Sequence, residues 1–201
     1  MKNKSILITG GTGSFGSKFI EVVIKKFPKI KKLVIFSRDE LKQHDLSQIP
    51  FFKKNEKKLR FLLGDIRDLN RVNWALKDID IVVHAAALKQ VPAAEYNPSE
   101  FIKTNIIGTE NLINASLNNN VEKFISLSTD KAASPVNLYG ATKLCADKLV
   151  VNAQNTVGKK KLKFSVVRYG NVANSRGSVI PIFQKQKQKN KLSVTSVEMT
   201  R

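Results

Sequence analysis

Residues 5–16 constrain the fold of this chain more than any other stretch. Ser5–Thr9 is a short apolar run of residues that favour extended backbone, and Gly10-Gly11-Thr12-Gly13-Ser14-Phe15-Gly16 follows directly. An amphipathic segment then runs to Phe27, with Phe15, Phe19, Ile20, Val23, Ile24 and Phe27 at helical spacing, and Pro28 ends it. Strand, glycine turn and helix in that order open a parallel sheet. Glycines at 10, 13 and 16 suit a turn that takes positive φ and lets the backbone approach a ligand closely. Amides at the helix start then suit an anion, and the expectation is a dinucleotide pyrophosphate.

The alternation continues along the chain. Leu33–Phe36 reads as a second strand and ends in Ser37-Arg38-Asp39-Glu40. An acid at such a tip holds the ribose diol of NAD, whereas an arginine suits the 2′-phosphate of NADP. Ser37 and Arg38 come first, which favours NADP; Asp39 or Glu40 reaching the ribose is the competing reading. A helix over Glu40–Gln48 and a lysine-rich connection to Lys58 lead into a third strand, Leu59–Leu63. Beyond Gly64, Asp65 is placed to accept from an adenine amino group or to cap the helix Leu69–Lys77, a role for which Asp68 is better placed. Ile79–Val83 is the fourth strand, and the small residues Ala85, Ala86 and Ala87 after it let a ring approach the backbone. His84 reads as a packed or capping histidine, and Lys89 as a partner for a substrate phosphate.

Pro98–Asn120 reads as one long helix with Phe101, Ile102, Ile106, Leu112, Ile113 and Leu117 facing inward. Asn105 interrupts that face, and a buried amide needs partners, so it is expected to tie the helix to the site loop. Phe124–Leu127 is the fifth strand, Leu138–Asn155 a helix capped by Asn137, and Lys163–Val167 the sixth strand. A helical piece over Ile180–Lys189 and a β-like run over Leu192–Val197 follow. Six strands alternating with helices predict an α/β fold over residues 1–201: a doubly wound, mostly parallel sheet of Rossmann type.

Between the fifth strand and its helix lies Ser128-Thr129-Asp130-Lys131, and four residues separate Tyr139 from Lys143. At that spacing both side chains leave one helix face, and an ammonium beside a phenol favours the phenolate. Thr129, Asp130 and Lys131 add a hydroxyl, a carboxylate and an amine at the strand's carboxyl end, where open α/β sheets bind ligands.

Charge decides less than it first suggests. The formal net charge is +19, but the 35 basic residues are 28 lysines and 7 arginines. The lysines scatter over predicted helix faces and loops such as Lys53–Lys58, Lys159–Lys161 and Lys185–Lys191. Nucleic-acid surfaces lean on arginine, so a solvated surface is expected rather than a nucleic-acid interface. The single cysteine, Cys145, falls in an apolar helical pattern and reads as a small buried residue of a reducing compartment. No leader and no apolar run near the roughly 20 residues that span a bilayer is evident, so a cytoplasmic location without a membrane partner is expected. No metal site is expected.

T-G-G-T-G-S-F-G at 9–16, G-D-I-R-D at 64–68, H-A-A-A at 84–87 and Y-x-x-x-K at 139–143 resemble the extended short-chain dehydrogenases/reductases. Within them, S-R-D-E at 37–40, A-A-L-K at 86–89, S-T-D-K-A at 128–132, N-L-Y-G-A-T-K at 137–143 and R-Y-G-N-V at 168–172 resemble the inverting UDP-N-acetylglucosamine 4,6-dehydratases. Those enzymes serve pseudaminic acid synthesis for flagellin glycosylation, with relatives in capsule and polysaccharide synthesis. The resemblance implies an NADP⁺ site at Thr12, Gly13, Ser14, Phe15, Ser37, Arg38, Asp65, Ile66, Ala86, Tyr139, Lys143 and Val172. It implies UDP-N-acetylglucosamine contacts at Lys89, Asn171 and Thr195, and a catalytic group of Asp130, Lys131 and Tyr139 assisted by Lys143.

In the implied chemistry Tyr139, as a phenolate, takes the 4-hydroxyl proton while hydride leaves C4. Lys131, as a neutral amine, takes the C5 proton; Asp130, held protonated, releases the 6-hydroxyl as water. A sugar-nucleotide 4-epimerase and a non-enzymatic NADP-binding protein are the alternatives. Members of the resembled family run well past 300 residues, so weak or absent activity is expected of this chain. Helices Pro98–Asn120 and Leu138–Asn155 offer faces for a homo-oligomer.

Overall fold

The computed structural model describes residues 1–173, 178–188, 192, 193, 196 and 198. The chain divides into two compact units, Met1–Gly170 and Asn171–Arg201. In the first, six parallel strands form one sheet: β1 (Ser5–Thr9), β2 (Lys32–Ser37), β3 (Leu59–Leu63), β4 (Ile81–His84), β5 (Lys123–Leu127) and β6 (Lys163–Val167). Their order is β3-β2-β1-β4-β5-β6. The order reverses between β1 and β4, and Thr9 stands level with Phe36 on one side and His84 on the other. A crevice at the carboxyl ends of the strands is the consequence of that reversal.

Side chains alternate across the sheet and build a core on each face. Ile6, Ile8, Leu33, Ile35, Ile81 and Val83 pack under α1 (Ser14–Lys26) with Ile20, Val23 and Ile24. Leu7, Val34, Phe36, Val82, Phe124 and Phe164 face the other way. α2 (Glu40–Gln48) follows β2 as expected. The lysine-rich connection after it is more ordered than its charge suggests: α3 (Pro50–Lys54) starts at a proline and buries Phe52. α4 (Leu69–Ala75) is capped by Asp68, whose side chain accepts from the Arg71 amide. The fourth strand starts and ends later than expected and takes in His84.

A short helix that the sequence reading does not anticipate, α5 (Val91–Tyr96), precedes the long one. The long helix is composite: α6 (Pro98–Phe101), a π-helical segment over Ile102–Ile107, then α7 (Gly108–Asn118). The wider π turn rotates the faces, so Ile102, expected inside, is 42% exposed, while Thr104 and Asn105 point inward. At Gly108 an added Cβ would lie 2.7 Å from the Ile66 side chain, which explains the glycine. α8 (Leu138–Ala153) leaves from the Asn137 cap. It buries Gly140, Thr142, Lys143, Ala146, Asp147 and Val150 and turns Cys145 outward, so the expected burial of that thiol does not occur.

In the second unit α9 (Val179–Lys187) occupies most of the helical piece expected there, and the Gln186 side chain accepts from the Ser193 amide at 3.0 Å. Within the β-like run, residues 194, 195 and 197 lie outside the described residues. Among the described residues no helix is long and apolar enough to cross a membrane.

Candidate active site

The glycine turn is built as its spacing requires. Gly10 takes φ +67°, its amide donates to the Phe36 carbonyl at 3.0 Å, and the Gly13 amide donates back to the Gly10 carbonyl at 3.0 Å. A Cβ on Gly10 would meet the Ala86 backbone at 2.9 Å, and one on Gly16 would lie 2.5 Å from the Gly10 carbonyl. Strand end, turn and the loop after β4 are therefore in backbone contact. Gly13 stands at the head of α1, whose first turn carries no acid, so the amide end of the helix keeps its partial positive charge. Thr12 is half-buried and Ser14 exposed there, and Phe15 stacks on Phe19 and on Tyr169.

At the tip of β2 the Ser37 hydroxyl accepts from Gln43 at 2.9 Å, and the same buried amide reaches the Leu62 carbonyl at 3.1 Å. Asp39 is occupied as the cap of α2, accepting from the Lys42 amide at 3.0 Å. Arg38 lies 3.7 Å from Asp65. Asp65 is also held by Arg67, through the backbone amide at 3.0 Å and the guanidinium at 2.7 and 2.9 Å. Partial burial pushes the Asp65 carboxyl up, but the Arg67 bonds and the two guanidinium charges leave it below the usual carboxylate range. Asp65 does not cap α4; Asp68 does. Ile66 is sealed in the core, with its carbonyl accepting from Asn111 at 3.0 Å. Arg38 and Lys89 line one recess of about 260 Å³ together with Gln90 and Asn97.

The polar cluster after β5 is the densest part of the site. The Thr129 hydroxyl donates to Asp130 Oδ1 at 2.9 Å, Lys131 Nζ donates to the same oxygen at 3.1 Å, and Thr129 lies near enough to the Tyr139 phenol to favour its ionised form. The loop is fixed by its backbone: the Ser128 amide donates to the Val167 carbonyl at 2.8 Å and the Asp130 amide to the Tyr169 carbonyl at 3.0 Å. Asn137 Oδ1 accepts from the Gly140 amide at 2.8 Å and starts α8. A Cβ at Gly140 would stand 2.3 Å from the Lys131 carbonyl, so only glycine lets the helix lie against the Asp130–Lys131 turn.

Lys143 is 4% exposed and donates to the Leu127 carbonyl at 2.8 Å. Burial lowers its pKa to about 8, against the pull of the Asp147 carboxylate one helical turn on. Asp147 Oδ2 accepts from Arg168 Nε at 2.8 Å.

Two expectations about charge change here. Tyr139 was to be a readily ionised phenol, but burial raises its pKa, with Thr129 opposing and the neighbouring Tyr169 and Asp130 adding to the rise. Lys143 spends its bond on a main-chain carbonyl instead of the phenol. Asp130 was to be protonated, but the Lys131 ammonium, and then the Thr129 hydroxyl, hold it below the usual range.

The structure thus joins Thr129, Asp130 and Lys131 by hydrogen bonds, with Tyr139 beside Thr129 and Lys143 buried on the same helix as Tyr139. Asn171 and Val172 belong to the second unit, and Thr195 lies outside the described residues. Sequence reasoning did not single out Gln43, Gly140, Thr142, Asp147 or Arg168. Of these only Gly140, a glycine in the first turn of a capped helix, carries a local signal.

Asn105 does what was expected of it, accepting from the Leu88 amide and donating to the Leu88 carbonyl, both at 2.9 Å, and reaching Thr142 on α8 at 3.0 Å. His84 is fully buried between Thr9 and Thr109, at 2.8 and 3.0 Å. Burial, with the nearby Lys143 charge, lowers its pKa to about 3, so the ring is neutral near pH 7.

Known proteins share this arrangement. A UDP-N-acetylglucosamine 4,6-dehydratase (inverting) from Campylobacter jejuni is 54% identical over 98% of this chain and 58% of its own length. A protein named UDP-glucose 4-epimerase from Rickettsia bellii is 47% identical over 99% of this chain and 58% of its own. The X-ray structure of Pen from Bacillus thuringiensis superposes with a TM-score of 0.93 at 43% identity, covering 98% of this chain and 62% of that one. The chain spans somewhat under three-fifths of the length of these curated relatives. The profile of one family matches residues 6–201, and the chain belongs to that family, the polysaccharide biosynthesis proteins.

Proposed function

We propose that this chain carries the cofactor-binding and catalytic part of an NADP-dependent UDP-N-acetylglucosamine 4,6-dehydratase that inverts C5. The observation that carries the reading is the bonded row Thr129–Asp130–Lys131 at the carboxyl end of β5, with the Tyr139 phenol beside Thr129. A group for moving the 4-hydroxyl proton lies beside an acid–base pair for eliminating water, and a 4-epimerase has no use for the second.

The fit to a dinucleotide rests on the backbone. Gly10 and Gly16 leave a cradle that a Cβ would fill, the head of α1 offers amides to a pyrophosphate, and Ala86 holds the far wall close. Arg38 supports NADP over NAD, because the competing Asp39 is spent as a helix cap. When bound, the nicotinamide supplies a place to store hydride and return it.

Tyr139 takes the proton of the sugar 4-hydroxyl. Its raised pKa makes that transfer depend on cation charge nearby, which Lys143 supplies at neutral pH. The Asp130–Lys131 pair rests as carboxylate and ammonium. Movement of one proton along their 3.1 Å bond gives the neutral amine and the acid that elimination requires. A sugar that displaces water from this half-exposed pair favours the neutral form, since desolvation penalises charges. Lys131 then takes the C5 proton, and Asp130 gives its proton to the departing 6-hydroxyl, which leaves as water. With hydride returned to C6, protonation of C5 from the opposite face gives the inverted 6-deoxy-4-ketone.

Pseudaminic acid or a related surface glycan is the pathway this product suits, in the cytoplasm where sugar nucleotides are made. Lys89, Asn171 and Thr195 are the proposed sugar-nucleotide contacts, and a homo-oligomer the proposed assembly. The Rickettsia relative supports a second reading, 4-epimerisation, in which Tyr139 acts without Asp130 and Lys131.

Incubating the chain at near-stoichiometric concentration with UDP-N-acetylglucosamine and NADP⁺ in D₂O separates the two by NMR. The expected product is a 6-deoxy-4-ketone of inverted C5 carrying deuterium at that carbon. A 4-epimer with its C5 hydrogen intact supports the second reading; unchanged sugar with the dinucleotide bound is the weak or absent activity expected of a chain this short, and unchanged sugar with no dinucleotide bound contradicts both.

A further inference from the structure

A row of buried side chains runs beneath the site from the glycine turn to the catalytic helix, and its hydrogen bonds have only one consistent direction. Thr9, His84, Thr109, Asn105 and Thr142 are each at most 1% exposed. They come from β1, β4, the two parts of the long helix and α8, so the row crosses the structure rather than following one element.

The direction follows from counting protons. Thr9 Oγ1 accepts from the Ala85 amide at 3.1 Å and the Ala86 amide at 3.2 Å. A hydroxyl has two lone pairs and one proton, so both acceptor sites are filled and the proton goes to His84 Nδ1 at 2.8 Å. At the other side of the ring, the Thr109 proton is committed to the Asn105 carbonyl at 2.7 Å. The bond of 3.0 Å between Thr109 Oγ1 and His84 Nε2 must therefore take its proton from the ring. The Asn105 amide cannot be turned over, because its oxygen accepts from the Leu88 amide and its nitrogen donates to the Leu88 carbonyl. The remaining amide hydrogen goes to Thr142 Oγ1 at 3.0 Å, and the Thr142 proton to the Tyr139 carbonyl at 2.8 Å.

We propose that His84 is a positioning residue, held as the neutral Nε2–H tautomer, that links the glycine turn and the Ala85–Ala86 loop to the setting of Tyr139 through this one-way row. It rests on the reading above, in which the turn holds the dinucleotide and Tyr139 moves the proton. The run from Thr9 through His84 and Thr109 ends on the Asn105 main-chain carbonyl, and a second run leaves from the Asn105 side-chain amide; bonds that point one way polarise one another within each run, and Asn105, fixed at both groups, holds the two runs in register. The other tautomer would set two protons against each other at Thr9 and leave Thr109 Oγ1 facing a bare Nε2 with no proton between them.

Two measurements on the full chain test this. The sequence holds two histidines, so a long-range ¹H–¹⁵N spectrum of the imidazoles resolves His84 from His44. The expected pattern at neutral pH is a protonated Nε2 and a bare, strongly downfield Nδ1; the reverse pattern, or an imidazolium, overturns the proposal whatever the enzyme does. The second measurement is a double-mutant cycle on NADPH affinity, read by nicotinamide fluorescence, with Thr9→Val and Thr142→Val. Each single change is expected to weaken binding by about threefold to tenfold, the worth of one net hydrogen bond, and Thr142→Ser to restore it. If the row acts as a unit, the double variant binds about as weakly as one single variant. Losses that multiply, or a Thr142→Ser no better than Thr142→Val, overturn the coupling. A chain that binds no dinucleotide at all contradicts the functional reading, while the tautomer still decides the row.

Discussion

Gly140→Ala isolates the contact that sets the candidate catalytic group. In an ordinary helix interior the change stabilises, because alanine is about 1 kcal/mol better than glycine there. Here the new Cβ would lie 2.3 Å from the Lys131 carbonyl and 3.0 Å from Pro135 Cβ, and real Cβ contacts essentially never fall below 3.0 Å. The helix and the Asp130–Lys131 turn must part by at least the difference, 3.0 − 2.3 = 0.7 Å. Overpacking of that kind costs roughly 1–3 kcal/mol, so the two effects leave a net loss of about 0–2 kcal/mol. Geometry suffers more than stability, since a displacement near 1 Å costs a reaction about a hundredfold. Urea unfolding followed by circular dichroism, paired with the rate of 4-ketone formation, reads both. A variant more stable than the parent by the full helix-propensity gain, with its rate unchanged, would refute the close contact.

Other outcomes follow from charge and burial. The native His84 pKa of about 3 lies below the ordinary 6.5, so the unfolded chain binds the extra proton between those values and stability falls as pH drops through that window. The full loss is roughly 5 kcal/mol, of which about 2 fall between pH 6.5 and 4.5, before most carboxylates protonate; a urea midpoint flat over that interval contradicts the burial. Lys143, near 8 in the native chain against 10.5 unfolded, has the same sign at higher pH: stability rises from pH 8 to 10.5, while any step that uses its ammonium fades above 8, which a pH–rate profile reads. Asp147→Asn weakens the bond to Arg168 and removes the charge that supports the Lys143 ammonium. Because Arg168 is 43% exposed, the destabilisation is expected nearer about 1–2 kcal/mol than the value for a fully buried pair, with the alkaline limb of the profile moved to lower pH; an unmoved limb contradicts the link.

Most of the frame is legible in the sequence because it rests on local signals. The inner strands β1, β2 and β4 carry continuous apolar runs, as a sheet covered on both faces requires, and the glycine turn and the caps at Asp68 and Asn137 announce themselves. Asn105 is legible too, since an amide on an apolar face must find partners.

The misses share a cause: they depend on what the fold brings near. Ile102 sits at a sound helical position, and only the π turn moves it outward. A run of lysines masks α3, although Phe51 and Phe52 beside Pro50 are there to anchor it. The ionisation of Asp130 and Tyr139 is set by Thr129, Lys131 and burial, and residue spacing does not disclose burial. Asp147 and Arg168 lie 21 positions apart and meet only because β6 pairs with β5 above α8.

Every step proposed above depends on a dinucleotide held over the carboxyl edge of the sheet with a phosphate beside Arg38. Its most direct test is a side-by-side titration of the chain with NADPH and NADH, followed by nicotinamide fluorescence. A charge-assisted bond to the extra phosphate is worth about 1.5–3 kcal/mol, so NADPH is expected to bind roughly tenfold to a hundredfold more tightly, with the difference erased by Arg38→Ala. Equal binding of the two, or tighter binding of NADH, would contradict the account at its base.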